Sequence, residues 1–109
     1  MDIVFEDNSL QEIYEYGDTK DREYVKYVRD KKFVDKLRRQ IDLVRGASSY
    51  KELKNISPLH YEDLKHEYAG YTSFRIFNNR IERVICKECD KYLKLTLLKL
   101  DDTHYENEK

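Results

Sequence analysis

The sequence predicts an α+β domain, with helices packed on one face of an antiparallel sheet. Apolar residues recur at helical spacing in the first half of the chain, whereas the last third alternates β-branched, aromatic and polar residues between turn signals. The length of 109 residues suffices for one modest core, so a single domain over 1–109 is expected.

Asp2 to Glu6 reads as a short strand. Ser9 to Tyr16 reads as a helix: Ser9 and Glu12 have the spacing of a capping box, and Gly17 stands where a left-handed cap would end it. Residues 18–32 are ambiguous, because Tyr24, Val25, Tyr27 and Val28 fit a helical face or a strand equally. From Phe33 the period is clear. Phe33, Leu37, Ile41 and Val44 share one face, Lys36, Arg38, Arg39 and Arg45 fall mostly on the wet side, and Gly46 ends the helix. Ser49 and Glu52 form a second capping box on a short helix, after which Asn55, Ser57 and Pro58 mark loop. Strands follow near Thr72–Phe77 and Ile81–Lys87, then a turn at Lys87–Asp90 and a last strand over Tyr92–Leu100, where Leu93, Leu95 and Leu97 alternate.

Composition narrows the function classes. No apolar run approaches membrane-spanning length, and the acidic start Met1-Asp2-Ile3-Val4-Phe5-Glu6 is unlike a signal peptide, so a cytoplasmic protein without membrane contact is expected. The net charge of −1 hides an uneven distribution: residues 1–24 hold eight acids and two bases, residues 25–45 eight bases and three acids. Residues 46–100 hold ten bases and seven acids, and the last nine residues four acids and one base. A basic middle suits a phosphate-binding surface, although the overall balance is not that of a nucleic-acid binder.

Three arginines, Arg75, Arg80 and Arg83, lie within nine residues of the predicted hairpin. If Asn78-Asn79 is a two-residue turn, Arg75 faces Glu82 and is simply paired across the strands. If the loop is Asn78-Asn79-Arg80, Arg75 faces Arg83 and Phe74 faces Val84. Such a like-charged pair is unfavourable unless an anion such as phosphate lies between. Spacing alone favours the first register.

Cys86 and Cys89 are three apart, but a tetrahedral metal site needs four ligands and there is no second such pair. His60, His66 or His104 could in principle complete one. Thiols on a strand and turn in a reduced protein more often pack, and no metal or cofactor is expected. The tyrosines at Tyr14–Tyr16 and Tyr24–Tyr27 read as core rather than as base-stacking residues. His104, just beyond the last strand among polar residues, has an ordinary pKa near 6.5 that suits proton transfer.

Taken together, Phe5, Ser9-Leu10, Glu12-Ile13-Tyr14, Gly17, Val44-Arg45-Gly46-Ala47, Tyr50 to Leu53, Leu64-Lys65, Gly70-Tyr71, Ser73-Phe74-Arg75-Ile76 and His104-Tyr105-Glu106 resemble the RelE/HigB-like toxins of bacterial type II toxin–antitoxin systems. The likeness spans nearly the whole chain. It implies a compact microbial-ribonuclease-like fold and an mRNA interferase, an endoribonuclease that cuts messages generally on the ribosome and needs no metal. It also implies a cognate antitoxin, usually a HigA-like helix-turn-helix protein, through which the pair would reach operator DNA. By position, the family's functional lysine falls on Lys65, its first strand arginine on Arg75 and its second on Arg83, with Arg80 as a rival. The terminal histidine falls on His104, and its neighbour Tyr105 could donate a proton or stack on a base. A ParE-like relative, which inhibits DNA gyrase by binding, is the alternative from another class.

Overall fold

The first helix is capped earlier than the Ser9–Glu12 pairing suggests. The Asp7 carboxylate accepts from the backbone N–H groups of Ser9 and Leu10, so α1 spans Asn8–Tyr16. Gly17 ends it in the left-handed conformation (φ 76°), its N–H returning to the Ile13 carbonyl. These features belong to a computed structural model, which describes residues 1–103. The ambiguous stretch contains one short helix, α2 (Val25–Val28), and Asp30 caps α3 (Lys31–Gly46) through the Phe33 N–H. Ser49 caps α4 (Tyr50–Asn55) through the Glu52 N–H, but the reciprocal bond is displaced: Glu52 accepts from the N–H and hydroxyl of Ser48, not Ser49.

The five strands are β1 (Asp2–Phe5), β2 (Glu62–Asp63), β3 (Thr72–Arg75), β4 (Arg83–Glu88) and β5 (Lys94–Asp101), in the order β1-β5-β4-β3-β2. From β2 to β5 the sheet is antiparallel, as expected, whereas β1 joins the edge parallel to β5. A first strand that leads directly into a helix on one face of the sheet can enter alongside the last strand only at its free edge. The two-residue β2 carries no apolar alternation and has no signature in the sequence.

The β3–β4 register opposes Phe74 to Val84 and Arg75 to Arg83. The register that spacing favoured, with Arg75 facing Glu82, is therefore not adopted. Strand pairing stops at Arg75 and Arg83, leaving a wider loop of residues 76–82 than a two-residue turn would give. β5 also runs past its expected end and contains an irregularity: Ile85 pairs with Lys99 and Cys86 with Leu97, so Leu98 is an extra residue. Because strand side chains alternate, this bulge flips everything after it. Leu95, Leu97 and Leu100 are buried in the core, while Lys99 and Asp101, which unbroken alternation would have put there, lie on the other face.

The core lies between the helices and one face of the sheet. Leu10 and Ile13 of α1, Phe33, Leu37, Ile41 and Val44 of α3, and Leu53 of α4 meet Phe74, Val84, Cys86, Leu95 and Leu97. Each such side chain contributes on the order of 2 kcal/mol by leaving water. Cys86 packs here, and burial pushes its thiol pKa up. Gln40, fully buried on α3, donates through Nε2 to the Pro58 carbonyl (2.8 Å) and the Arg75 carbonyl (2.9 Å). That bond fixes the end of β3 against the helix layer. Among the described residues, no helix is long and apolar enough to cross a membrane.

Tyrosines finish the edges of this core by donating to carboxylates. Tyr24 donates to Asp7, Tyr27 to Asp102 (2.6 Å) and Tyr61 to Glu88, and Tyr24 oxygen also accepts from the Leu100 N–H. Burial, followed by the adjacent carboxylate, raises all three phenol pKa values well above the ordinary 10.0. A raised folded-state value gives stability that is fully present below the unfolded value and is lost as pH rises through the folded one. Spectrophotometric alkaline titration should therefore show Tyr24, Tyr27 and Tyr61 ionising only together with unfolding. Ionisation of all ten tyrosines near the ordinary value in a still-folded chain would contradict these contacts. Gln40→Ala removes the donor shared by the Pro58 and Arg75 carbonyls and should cost about 2 kcal/mol, visible as a thermal midpoint lowered by several degrees.

Candidate anion-binding face

One rung of the sheet places Arg75, Arg83 and Asp101 side by side on β3, β4 and β5, and the next places Ser73, Ile85 and Lys99 likewise. Both rungs lie on the face away from the helices. Ile85 is 1% exposed yet stands outside the helix-side core, on the face that the segment 64–71 meets through Tyr68 and Tyr71. That segment runs from Lys65 into a 3-10 turn, His66–Tyr68, and then to Tyr71. Its sharp reversal uses His66 at φ 59°, in the left-handed region that a β-carbon disfavours.

Two tyrosines from this segment lie against the sheet's cations. The Tyr68 ring centroid is 5.5 Å from the Arg83 guanidinium and 5.5 Å from the Lys99 ammonium. Tyr71 meets Lys87 at 5.3 Å and stands edge-on to Tyr68, with centroids 6.5 Å apart. These are cation–π distances, and in a partly desolvated setting each contact is worth roughly 1 kcal/mol. Lys99 keeps its proton more strongly than an ordinary lysine, chiefly through its polar contact with Tyr68 and also through the nearby Asp101 charge. The Ser73 hydroxyl is buried on this face with no hydrogen-bond partner among the described residues.

Opposing Arg75 to Arg83 sets two like charges on neighbouring strands, and the fold itself supplies an anion. Arg83 Nε donates to Asp101 Oδ2 at 3.1 Å, with both side chains about one-twentieth exposed. Asp101 is held in turn by the Thr103 hydroxyl at 2.9 Å. Asp101, at the start of the polar run that ends the chain's last strand, is buried because it has this partner. Arg75 Nη1 donates to the Arg80 carbonyl at 3.3 Å, drawing its side chain towards the hairpin loop.

Of the residues singled out by sequence, Arg75 and Arg83 come together on one rung. Lys65 is exposed at the head of the turn that carries Tyr68. Arg80 lies elsewhere: it donates to both Glu82 oxygens at 3.0 Å and to Asp30 at 3.3 Å, and its guanidinium stands over the rings of Phe33 and Phe77. It pins the hairpin loop to the N-terminus of α3. His104 and Tyr105 lie outside the described residues. Sequence reasoning missed Tyr68, Lys99 and Asp101. The last two reach this face only through the bulge at Leu98. Tyr68 is the one with a readable signal, an aromatic residue two before Gly70 in a polar stretch that offers it no core.

Neither the family models nor the curated proteins include a match to this chain. Among solved structures, the chain is similar to a YoeB/ParE toxin from Agrobacterium tumefaciens, at 21% identity, with a TM-score of 0.53 over 95% of this chain and 100% of that one. That likeness shows a shared fold, helices on one side of a five-stranded sheet.

Proposed function

We propose that this chain is the toxin of a toxin–antitoxin system and acts as a metal-independent endoribonuclease on mRNA in the cytoplasm. The observation that carries the reading is the pairing of Arg75 with Arg83 on one rung of the sheet, with Lys99 on the next. RNA cleavage through the 2′-OH requires that hydroxyl to be deprotonated, the added charge on the phosphorane to be stabilised, and the departing 5′-oxygen to be protonated. Arg75 and Arg83 are assigned to the phosphate, because a guanidinium meets phosphate oxygens through paired N–H donors. Lys65 adds charge from the rim. His104 carries the proton, and Tyr105 donates or stacks on a base. Because the attacking group is the 2′-OH, DNA is inert. No metal or cofactor enters this chemistry.

The similarity to a toxin implies an antitoxin partner, and the sequence resemblance suggests a HigA-like helix-turn-helix protein that would bring the pair to operator DNA. The ribosome is the expected setting of cleavage. One observation favours a second reading, a gyrase-binding toxin without nuclease chemistry: Asp101 already neutralises Arg83. Replacing His104 distinguishes the two, since a nuclease should lose toxicity in His104→Ala while still binding antitoxin, and a binding toxin should keep it.

Induced expression followed by mapping of RNA 5′ ends should reveal new codon-associated ends during growth arrest. Arrest without such ends would count against cleavage. Arg75→Ala and Arg83→Ala should each lower cleavage by about 10²-fold or more, the size seen when a group that stabilises transition-state charge is removed. Arg80→Ala should instead cost on the order of 1 kcal/mol of stability, because its partly exposed ion pairs are weakened by solvent, and should leave most of the cleavage intact.

A further inference from the structure

We infer that Asp101 and Tyr68 are positioning residues for Arg83, which hold its guanidinium so that its two terminal nitrogens receive a phosphodiester. The inference rests on the ribonuclease reading only for the identity of that anion. Among the described residues, Arg83 makes its ion pair through Nε alone, to Asp101 Oδ2 at 3.1 Å. Its guanidinium carbon lies 5.5 Å from the Tyr68 centroid. A guanidinium is planar and rigid, so one bond at Nε and a ring beside it fix the direction of the remaining fork. The cost of ordering the side chain is then met on folding rather than on binding. Tyr68 also meets Lys99, at the same 5.5 Å and with a polar contact besides, and so brings two cations from neighbouring strands against one residue.

Charge alone predicts the opposite sign. Removing the Asp101 carboxylate raises the net charge of this face by one and should tighten anion binding if the face were merely an attractive patch. A positioning role predicts that binding weakens, because a freed Arg83 must be ordered by the ligand.

The test is titration of the full chain with a 2′-O-methyl oligoribonucleotide, which cannot be cut, and separately with inorganic pyrophosphate. Calorimetry gives the affinity, and the ¹⁵N-resolved arginine Nε–H signals report where the anion lands. Both ligands should perturb Arg83 in the wild type. Tyr68→Ala should weaken them about tenfold, as loss of a desolvated cation–π contact would. Tyr68→Phe, which keeps the ring, should restore most of the affinity, and Asp101→Asn should also weaken binding. Should Asp101→Asn fail to fold, Tyr68→Ala and Tyr68→Phe carry the test, since they leave the ion pair in place. Binding as tight as wild type, or tighter, in folded Tyr68→Ala or Asp101→Asn overturns the inference. So does equal weakening in Tyr68→Phe and Tyr68→Ala, or anion binding that never reaches Arg83. Tyr68-dependent binding of pyrophosphate at Arg83 by a chain that neither binds nor cuts RNA supports the inference and sinks the ribonuclease reading.

Discussion

The register between β3 and β4 is the constraint from which the functional face follows. It sets Arg75 against Arg83, an arrangement that electrostatics opposes. Two features elsewhere make it tolerable. The bulge at Leu98 turns Asp101 onto the same face, where it takes up the charge of Arg83, and the segment 64–71 lays Tyr68 over what remains. Shift β4 by one residue and the hydrophobic positions Val84 and Cys86 would leave the core, so the helix layer enforces the register from the other side. Packing on one face thus fixes unfavourable charge on the other.

That division of labour also explains how a chain of net charge −1 carries a cationic face. Its carboxylates are largely committed on the helix side and at the edges. Asp7 and Asp30 cap helices, and Asp7, Asp42, Asp102 and Glu88 accept from tyrosine hydroxyls. Glu82 and Asp30 together hold Arg80. What counts for recognising an anion is the local field of Arg75, Arg83, Lys87 and Lys99, which the chain-wide sum does not report.

Much of the fold could be read directly from the residues. The long helix α3 follows from its apolar spacing together with lysines and arginines that favour helix and stay on the wet side, and the glycine after α1 behaves as a left-handed cap must. The hairpin arginines were visible, but their register was not, because β4 carries apolar residues on both faces, Val84 and Cys86 on one and Ile81 and Ile85 on the other, so either turn length offers the core an apolar side. Local chemistry misplaced the first helix start, since Asp7 and Ser9 are both good caps and only the path of the entering strand chooses between them. The parallel placement of β1 and the bulge in β5 are decided by tertiary packing. Nothing in the run Leu95 to Asp101 marks where alternation breaks, so Lys99 and Asp101 could not be assigned to a face. Tyr68 stands out as an aromatic residue in a polar stretch that offers it no core, but its partners are non-local, so the cations it meets are not named by its neighbours in sequence.

The pairing of β1 with β5 joins residues that are more than ninety positions apart, as Asp2 meets Lys94 and Phe5 meets Leu97. On a chain that emerges from its N-terminus, the first strand must therefore wait for the last. The early helices can form and meet meanwhile, because α1, α2 and α3 are neighbours in sequence. Asp101, which tames Arg83, arrives at the close of that wait. A nascent chain lacking its final strand would hold its hairpin arginines without their carboxylate and its helices without a sheet to cover, a form in which neither the core nor the charged face is yet assembled.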